Sequence, residues 1–268
     1  MTEARVGFAV DERGGVTVVL DGHPQSYVDP ADPGLLAFEY VHQLALVLDT
    51  LRPGRLAVTH VGGGGLTLPR YLEHTRPGSP QIVLEPDADL TAAVRRRLPL
   101  PRGHRIRVRS VDGRVGTAGL ATASADALVL DAYAGGRLPG ELTGAAYLLD
   151  VARVLRPDGV LAVNLADEPG LRHVARFVAT VVATGRFAQL ALMATHDVLK
   201  GRRFGNVVLT AGRRSLDLPA LHRAVASTAP PTGIRSGAAL DRLVAGARPF
   251  AVGQPTPIPP DPGRWRVR

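Results

Sequence analysis

An apolar run, Leu56-Ala-Val-Thr-His-Val61, passes directly into four consecutive glycines, Gly62 to Gly65, and then into a segment with helical character. Such a run reads as a strand of a parallel sheet, buried because helices cover both of its faces. The glycines allow a tight turn, and with no Cβ they let another group come close to the main chain. The helix that follows opens with N–H groups lacking intrahelical partners, which suits an anionic or hydroxyl-rich ligand. A Gly-rich turn without a ligand is the competing reading, and a glycine cluster alone does not choose between them.

The next apolar run supplies context. Gln81-Ile-Val-Leu84 ends in Glu85-Pro-Asp87, about twenty residues beyond the glycines, where an acid at the second strand tip is placed to accept hydrogen bonds from a ribose. A ribose offers two hydroxyl donors and a carboxylate two acceptor oxygens. Glu85 is read as that ligand residue and Asp87 as the N-cap of the following helix.

From residue 56 onward strands and helices alternate. Strands are expected near 56–61, 81–85, 104–109, 126–131, 158–165, 187–194 and 204–211, with helices near 66–76, 88–97, 143–155 and 169–184. That pattern predicts an α/β fold with a doubly wound, mostly parallel seven-stranded sheet. Between the last two runs, Thr195 to Arg203 leaves no room for a crossover helix, so they are expected to pair antiparallel. Ahead of this sheet, Arg5–Val10, Val16–Leu20 and the turn signals Gly14-Gly15 and Asp21-Gly22 predict a small antiparallel β unit. The expected division is a β-hairpin unit at 1–34, the nucleoside-binding domain at 35–212, a helical extension at 213–252 and a Pro-rich flexible tail at 253–268. Residues Leu35 to Leu51 carry helical apolar spacing, with Tyr40 on that helix as a packing residue at the helix–sheet edge.

Composition narrows the function classes. The chain has no cysteine, which removes disulfides, thiolate metal sites and cysteine nucleophiles, and its eight histidines show neither HxH nor HExxH spacing, so no metal site is expected. A formal charge of +8 invites a nucleic-acid reading, but Lys200 is the sole lysine and the arginine clusters lack interleaved aromatics. Solvated faces are the reading preferred, and no nucleic-acid partner is expected. No apolar stretch is long enough for a membrane span, and the N-terminus lacks a secretory pattern, so a cytoplasmic protein with no membrane association is expected.

In open α/β sheets ligands bind beyond the carboxyl ends of the strands. The third strand ends in Val111-Asp112-Gly113, where the acid either accepts from an exocyclic amine such as adenine's or simply forms a turn. The fourth, Asp126-Ala-Leu-Val-Leu-Asp131, leads into a Gly-rich loop. A carboxylate at an apolar strand tip is partly desolvated, which raises its pKa and suits it to act as a base. Asp167 and Glu168 stand after the fifth strand, either as further functional acids or as openers of the next helix.

Together Gly62-Gly-Gly64, Leu84-Glu85, Asp112-Gly113, Leu130-Asp131, Leu155-Arg-Pro-Asp-Gly-Val160 and Arg203-Phe-Gly-Asn206 resemble the polyamine aminopropyltransferases, spermidine synthase and its relatives, on a methyltransferase-like Rossmann fold. The Asp-Gly-His-Pro-Gln25-Ser opening and Phe38-Glu-Tyr40 are similar to that family's N-terminal β unit and first helix. The resemblance implies decarboxylated S-adenosylmethionine as group donor, a small-molecule amine such as putrescine as acceptor, and a homodimer. It places Gly62, Gly63 and Gly64 at the nucleoside, Glu85 on the ribose, Asp112 with Gly113 at the adenine, and Asp131 as the base, with Tyr40 and Gln25 positioning the amine. The chain departs from the family's pattern at Gly65 and Ala134, where aspartates that hold the donor's ammonium are usual; Asp167 or Glu168 is the expected substitute. The alternatives are a methyltransferase using intact S-adenosylmethionine, or a nucleoside-binding homologue without catalysis.

Overall fold

The computed structural model describes residues 5–134 and 138–251; the expected tail at 253–268 lies outside them. The chain opens with β1 (Val6–Val10), β2 (Val16–Leu20) and β3 (His23–Val28), an antiparallel three-stranded sheet in that order. Asp21 and Gly22 join β2 to β3 with φ of 49° and 77°, the positive pair that a type I′ turn requires. Val18 pairs with Ser26 and Val19 with Pro24, so Gln25 is the extra residue of a β-bulge.

Next come α1 (Glu39–Asp49), β4 (Val58–Val61), α2 (Thr67–Thr75), β5 (Gln81–Leu84), α3 (Ala88–Arg97), β6 (Ile106–Arg109), α4 (Gly113–Ala118) and β7 (Ala125–Leu130). They are followed by α5 (Ala145–Val154), β8 (Leu155–Asp167), α6 (Arg172–Ala183), β9 (Gln189–Thr195), α7 (His196–Leu199), β10 (Gly205–Gly212), α8 (Leu218–Ala226), β11 (Thr232–Ser236) and α9 (Ala238–Val244). The main sheet runs β11-β9-β10-β8-β7-β4-β5-β6. Strands β8, β7, β4, β5 and β6 are parallel, and β10 lies antiparallel to both β8 and β9, as the short Thr195–Arg203 connection requires.

The sheet therefore has eight strands, one more than the seven expected. The extra strand, β11, lies antiparallel to β9 in a region expected to be helical. Its sequence, Thr-Gly-Ile-Arg-Ser, has one large apolar residue and sits at the sheet edge, so it carries little of the apolar periodicity that marks a strand. The short α4 and α7 escape the same kind of reading.

Alternation along the central strands builds the core. Leu128 and Leu130 of β7, with Leu161, Val163 and Leu165 of β8, face the layer holding α5 and α6. Ala127, Val129, Val160 and Ala162 face the opposite layer, holding α1, α2 and α8. A third cluster joins Val16, Val18 and Val28 of the small sheet to Leu66, Val83, Leu90 and Val94. The small sheet is thus packed over the start of α2 and the β5–α3 region, beside the glycine turn. Among the described residues no helix is long and apolar enough to cross a membrane.

Several arginines close the carboxyl ends of helices. Arg76 donates to the carbonyls of Leu48, Asp49, Leu51, Arg52 and Gly54 after α1, at 2.6 to 3.3 Å. Arg70 does the same for Leu98 and Pro99 after α3, and Arg153 for Thr117, Ala118 and Leu120 after α4. A guanidinium placed there satisfies carbonyls that have no intrahelical donor. Arg76→Ala should lower unfolding free energy by on the order of 2 kcal/mol, read as a reduced denaturant midpoint at unchanged slope.

Candidate active site

Strand β4 lies between β5 and β7, and Val61 is in register with both Leu84 and Leu130. Gly62, Glu85 and Asp131 therefore emerge side by side at the carboxyl edge of the sheet. With neighbouring strands about 4.8 Å apart, the backbones of Glu85 and Asp131 stand roughly 10 Å from each other across the glycine turn. Leu84 and Leu130 share one face, so the alternation directs Glu85 and Asp131 to the other, the face that carries α1 and the small sheet.

The glycines are required one by one. Gly62 has φ +96°, and a Cβ there would fall 2.1 Å from the carbonyl oxygen of Asp131. A Cβ on Gly63 would press on the Glu85 side chain at 3.1 Å, and one on Gly64 (φ +46°) would meet Ser26 Oγ at 2.4 Å. The amides of the turn itself are engaged within the protein. Gly63 N donates to Glu85 Oε2 at 2.8 Å, Gly64 N reaches the same oxygen at 3.4 Å, and Gly65 N donates to Ser26 Oγ at 2.8 Å. Glu85 is buried with no ion-pair partner among the described residues, and main-chain donors supply what its carboxylate needs. Its Oε1 accepts from Asp87 N at 3.0 Å, which leaves a lone pair for another donor. Asp87 caps α3 through Leu90 N, as expected.

On the other side of the turn, Asp131 Oδ1 accepts from Asn164 Nδ2 at 2.9 Å, and Asn164 Oδ1 accepts from Asn206 Nδ2 at 2.9 Å. Burial raises the Asp131 pKa to about 6, against the opposing effect of the Asn164 hydrogen bond. Two phenols share this field. Tyr40, on the first turn of α1, has its pKa pushed well above the ordinary value by burial, then by the Asp131 and Tyr133 charges. Tyr133 is shifted up in the same way, by burial and then Asp131, and its hydroxyl donates to the Asn164 carbonyl at 3.1 Å. At the head of α1, Glu39 pairs with Arg203, which also donates to Thr195 Oγ1 at 3.1 Å.

The remaining expected residues take structural places. Asp112 is exposed and caps α4 through Val115 N, and a Cβ on Gly113 would meet Val61 at 2.3 Å, so that glycine seats α4 against β4. Asp167 is buried, its pKa raised by burial, and both its oxygens accept main-chain N–H groups, of Glu168 and Val174, at the start of α6. Glu168 is exposed. Gln25 bulges from β3 beside Ser26, which touches the glycine turn. Ala134 is exposed, whereas the Gly65 Cβ position is enclosed by Ser26 at 2.9 Å, Val18 at 3.1 Å and Val28 at 3.2 Å.

Sequence reasoning passes over Tyr133, Asn164, Asn206 and Ser26 as site residues. For Asn164 a signal exists, a lone amide within the apolar run Val160–Leu165; for Ser26 there is none, because its contact with Gly65 is a tertiary one. Among the described residues no group of three or more His, Asp or Glu side chains is placed to hold a metal ion.

No family model matches the chain. A polyamine aminopropyltransferase of Vibrio vulnificus (strain CMCP6) is 31% identical over 141 residues, covering 52% of this chain and 46% of that protein, so the match spans under half the relative's length. The crystal structure of a probable spermidine synthase from Corynebacterium glutamicum ATCC 13032 superposes with a TM-score of 0.84 at 26% identity, over 95% of each chain. A spermidine synthase solved with the transition-state analogue AdoDATO matches at TM-score 0.59 and 14% identity, over 90% of this chain and 88% of that one, a likeness of fold. The chain is similar in sequence and in fold to the polyamine aminopropyltransferases, and its architecture is that of a methyltransferase-like Rossmann domain with a small N-terminal β unit.

Proposed function

We propose that this chain is a transferase moving an aminopropyl group from decarboxylated S-adenosylmethionine to a small amine such as putrescine, with Asp131 as general base. The observation that carries the reading is the placement of Asp131, a carboxylate held by Asn164 beside a glycine turn whose other flank is Glu85, where burial raises its pKa to about 6. A free alkyl amine has a pKa of about 10.4 and is almost wholly protonated at pH 7, so its lone pair has to be released before attack. Asp131 accepts that proton. The donor supplies a sulfonium whose C–S bond breaks as the new C–N bond forms, and methylthioadenosine leaves with the electron pair. Glu85 Oε1 is the acceptor for the ribose hydroxyls, and Gly62 to Gly64 let the nucleoside lie flat on the turn. Tyr40 and Gln25 position the amine. The similarity to aminopropyltransferases supports this class, and on the same ground the working form is read as a homodimer.

One observation favours a second reading, methyl transfer from intact S-adenosylmethionine. The space beside Gly65 is closed by Ser26, Val18 and Val28, and Ala134 offers no charge, so neither usual acid is present to hold the decarboxylated donor's ammonium or to repel the carboxylate that the intact donor carries. Incubation with putrescine and each donor in turn, followed by mass analysis, separates the two. The proposal expects methylthioadenosine and an aminopropylated amine from the decarboxylated donor. S-adenosylhomocysteine from the intact donor would instead establish the second reading, and no product from either would remove both.

A further inference from the structure

We propose that Asn206 and Asn164 form a positioning device that holds Asp131 by one oxygen and leaves the other, Oδ2, as the basic atom facing substrate. The inference rests on Asp131 being the base and concerns what aims it.

Asp131 directly follows β7, and Asn164 and Asn206 stand on β8 and β10, strands that are adjacent in the sheet. Asn164 is directly opposite Val208, and Asn206 is opposite Ala166, two residues along β10, so the two amides are diagonal neighbours on one face. That face is the one carrying α1. Asn164 is only 1% exposed, so its amide has to find partners inside the protein. Both are used, and the order is directional: Asn206 Nδ2 donates to Asn164 Oδ1, and Asn164 Nδ2 donates to Asp131 Oδ1, each at 2.9 Å. An ionised carboxylate only accepts, so Asn164 turns its NH2 toward Asp131, and its oxygen is left for Asn206. A reversed amide would set oxygen against oxygen at Asp131 and NH2 against NH2 at Asn206. Asn206 thereby fixes the orientation of Asn164, and Asn164 fixes the rotation of the carboxylate.

Among the described residues, the ionisable groups facing Asp131 are Tyr40 from α1 and Tyr133 from its own loop, and the Glu39–Arg203 pair lies at the head of α1. None of these donates a hydrogen bond to Oδ1. A hydrogen bond that favours the charged form lowers a carboxyl pKa, so its removal has a defined direction.

The test is a carboxyl-carbon NMR titration of Asp131, its resonance assigned by its loss in Asp131→Asn. Asn164→Ala should move the midpoint upward by about one pH unit. Asn206→Ala should move it the same way by a smaller amount, and the double variant should match Asn164→Ala alone, because Asn206 acts through Asn164. An unmoved midpoint in either single variant, or full additivity in the double variant, overturns the device. The titration needs no turnover, so it stands apart from the donor assay: loss of all activity with intact shifts would remove the proposed reaction and keep the device.

Discussion

Asp131→Asn should reduce turnover roughly 10²- to 10⁴-fold while methylthioadenosine binding stays within a few-fold of wild type, the pattern of a lost base. The substitution keeps the shape and the hydrogen bond from Asn164 but removes the proton acceptor. Wild-type kcat/KM should fall as pH drops through about 6, where Asp131 becomes protonated, and the variant's residual rate should lose that limb. Stability should move the opposite way. A folded-state pKa near 6 lies above the ordinary 3.8, so the native state binds this proton more tightly than the unfolded chain. The contribution is fully present below the unfolded pKa and is lost as pH rises through about 6. At pH 7.5 the variant escapes the burial of a charge and should be more stable by on the order of 1–3 kcal/mol, read as a raised Tm. A variant that turns over normally would end the assignment of Asp131.

Gly65→Asp should fail to restore the acid usual in the family and should instead lower stability by roughly 3–5 kcal/mol, combining overpacking with burial of an unpaired carboxylate. The first atom of any side chain there meets Ser26, Val18 and Val28 at 2.9 to 3.2 Å, and Val18 is fully buried. For a chain of this size the expected fall in Tm is on the order of 10 °C by thermal denaturation. If Gly65→Asp were as stable as wild type and strengthened binding of the decarboxylated donor, the small sheet would be yielding at this point and the closed space would not limit the donor.

The parts of this fold that were legible in the sequence are those with strong local signals. The run from Leu56 to Val61 entering four glycines is a buried strand and a tight turn, and Leu128 and Leu130 alternate with Ala127 and Val129 between the two core layers as a doubly wound sheet requires. Asp87 as a cap and the antiparallel pairing of β9 with β10 follow from short-range chemistry and connection length. What was not legible depends on tertiary contact. That Glu85 and Ser26 take the amides of Gly63 and Gly65 is a contact between segments far apart in the chain, with no local signal. Asp112 and Asp167 look alike in sequence, as acids after strands, yet one caps α4 at the surface and the other is buried under α6 with both oxygens taken. The arginine excess is partly structural: Arg70, Arg76 and Arg153, none of them in a basic cluster, serve helix ends instead of solvated faces.

The reading as a whole depends on a nucleoside lying over Gly62–Gly64 between Glu85 and Asp131. Isothermal titration of the full chain with methylthioadenosine, repeated on Glu85→Ala, tests it most directly. The account predicts a one-to-one complex in the wild type, weakened at least tenfold in the variant by loss of the ribose acceptor. Heat signals at baseline in the wild type, or equal affinity in the two proteins, would contradict it.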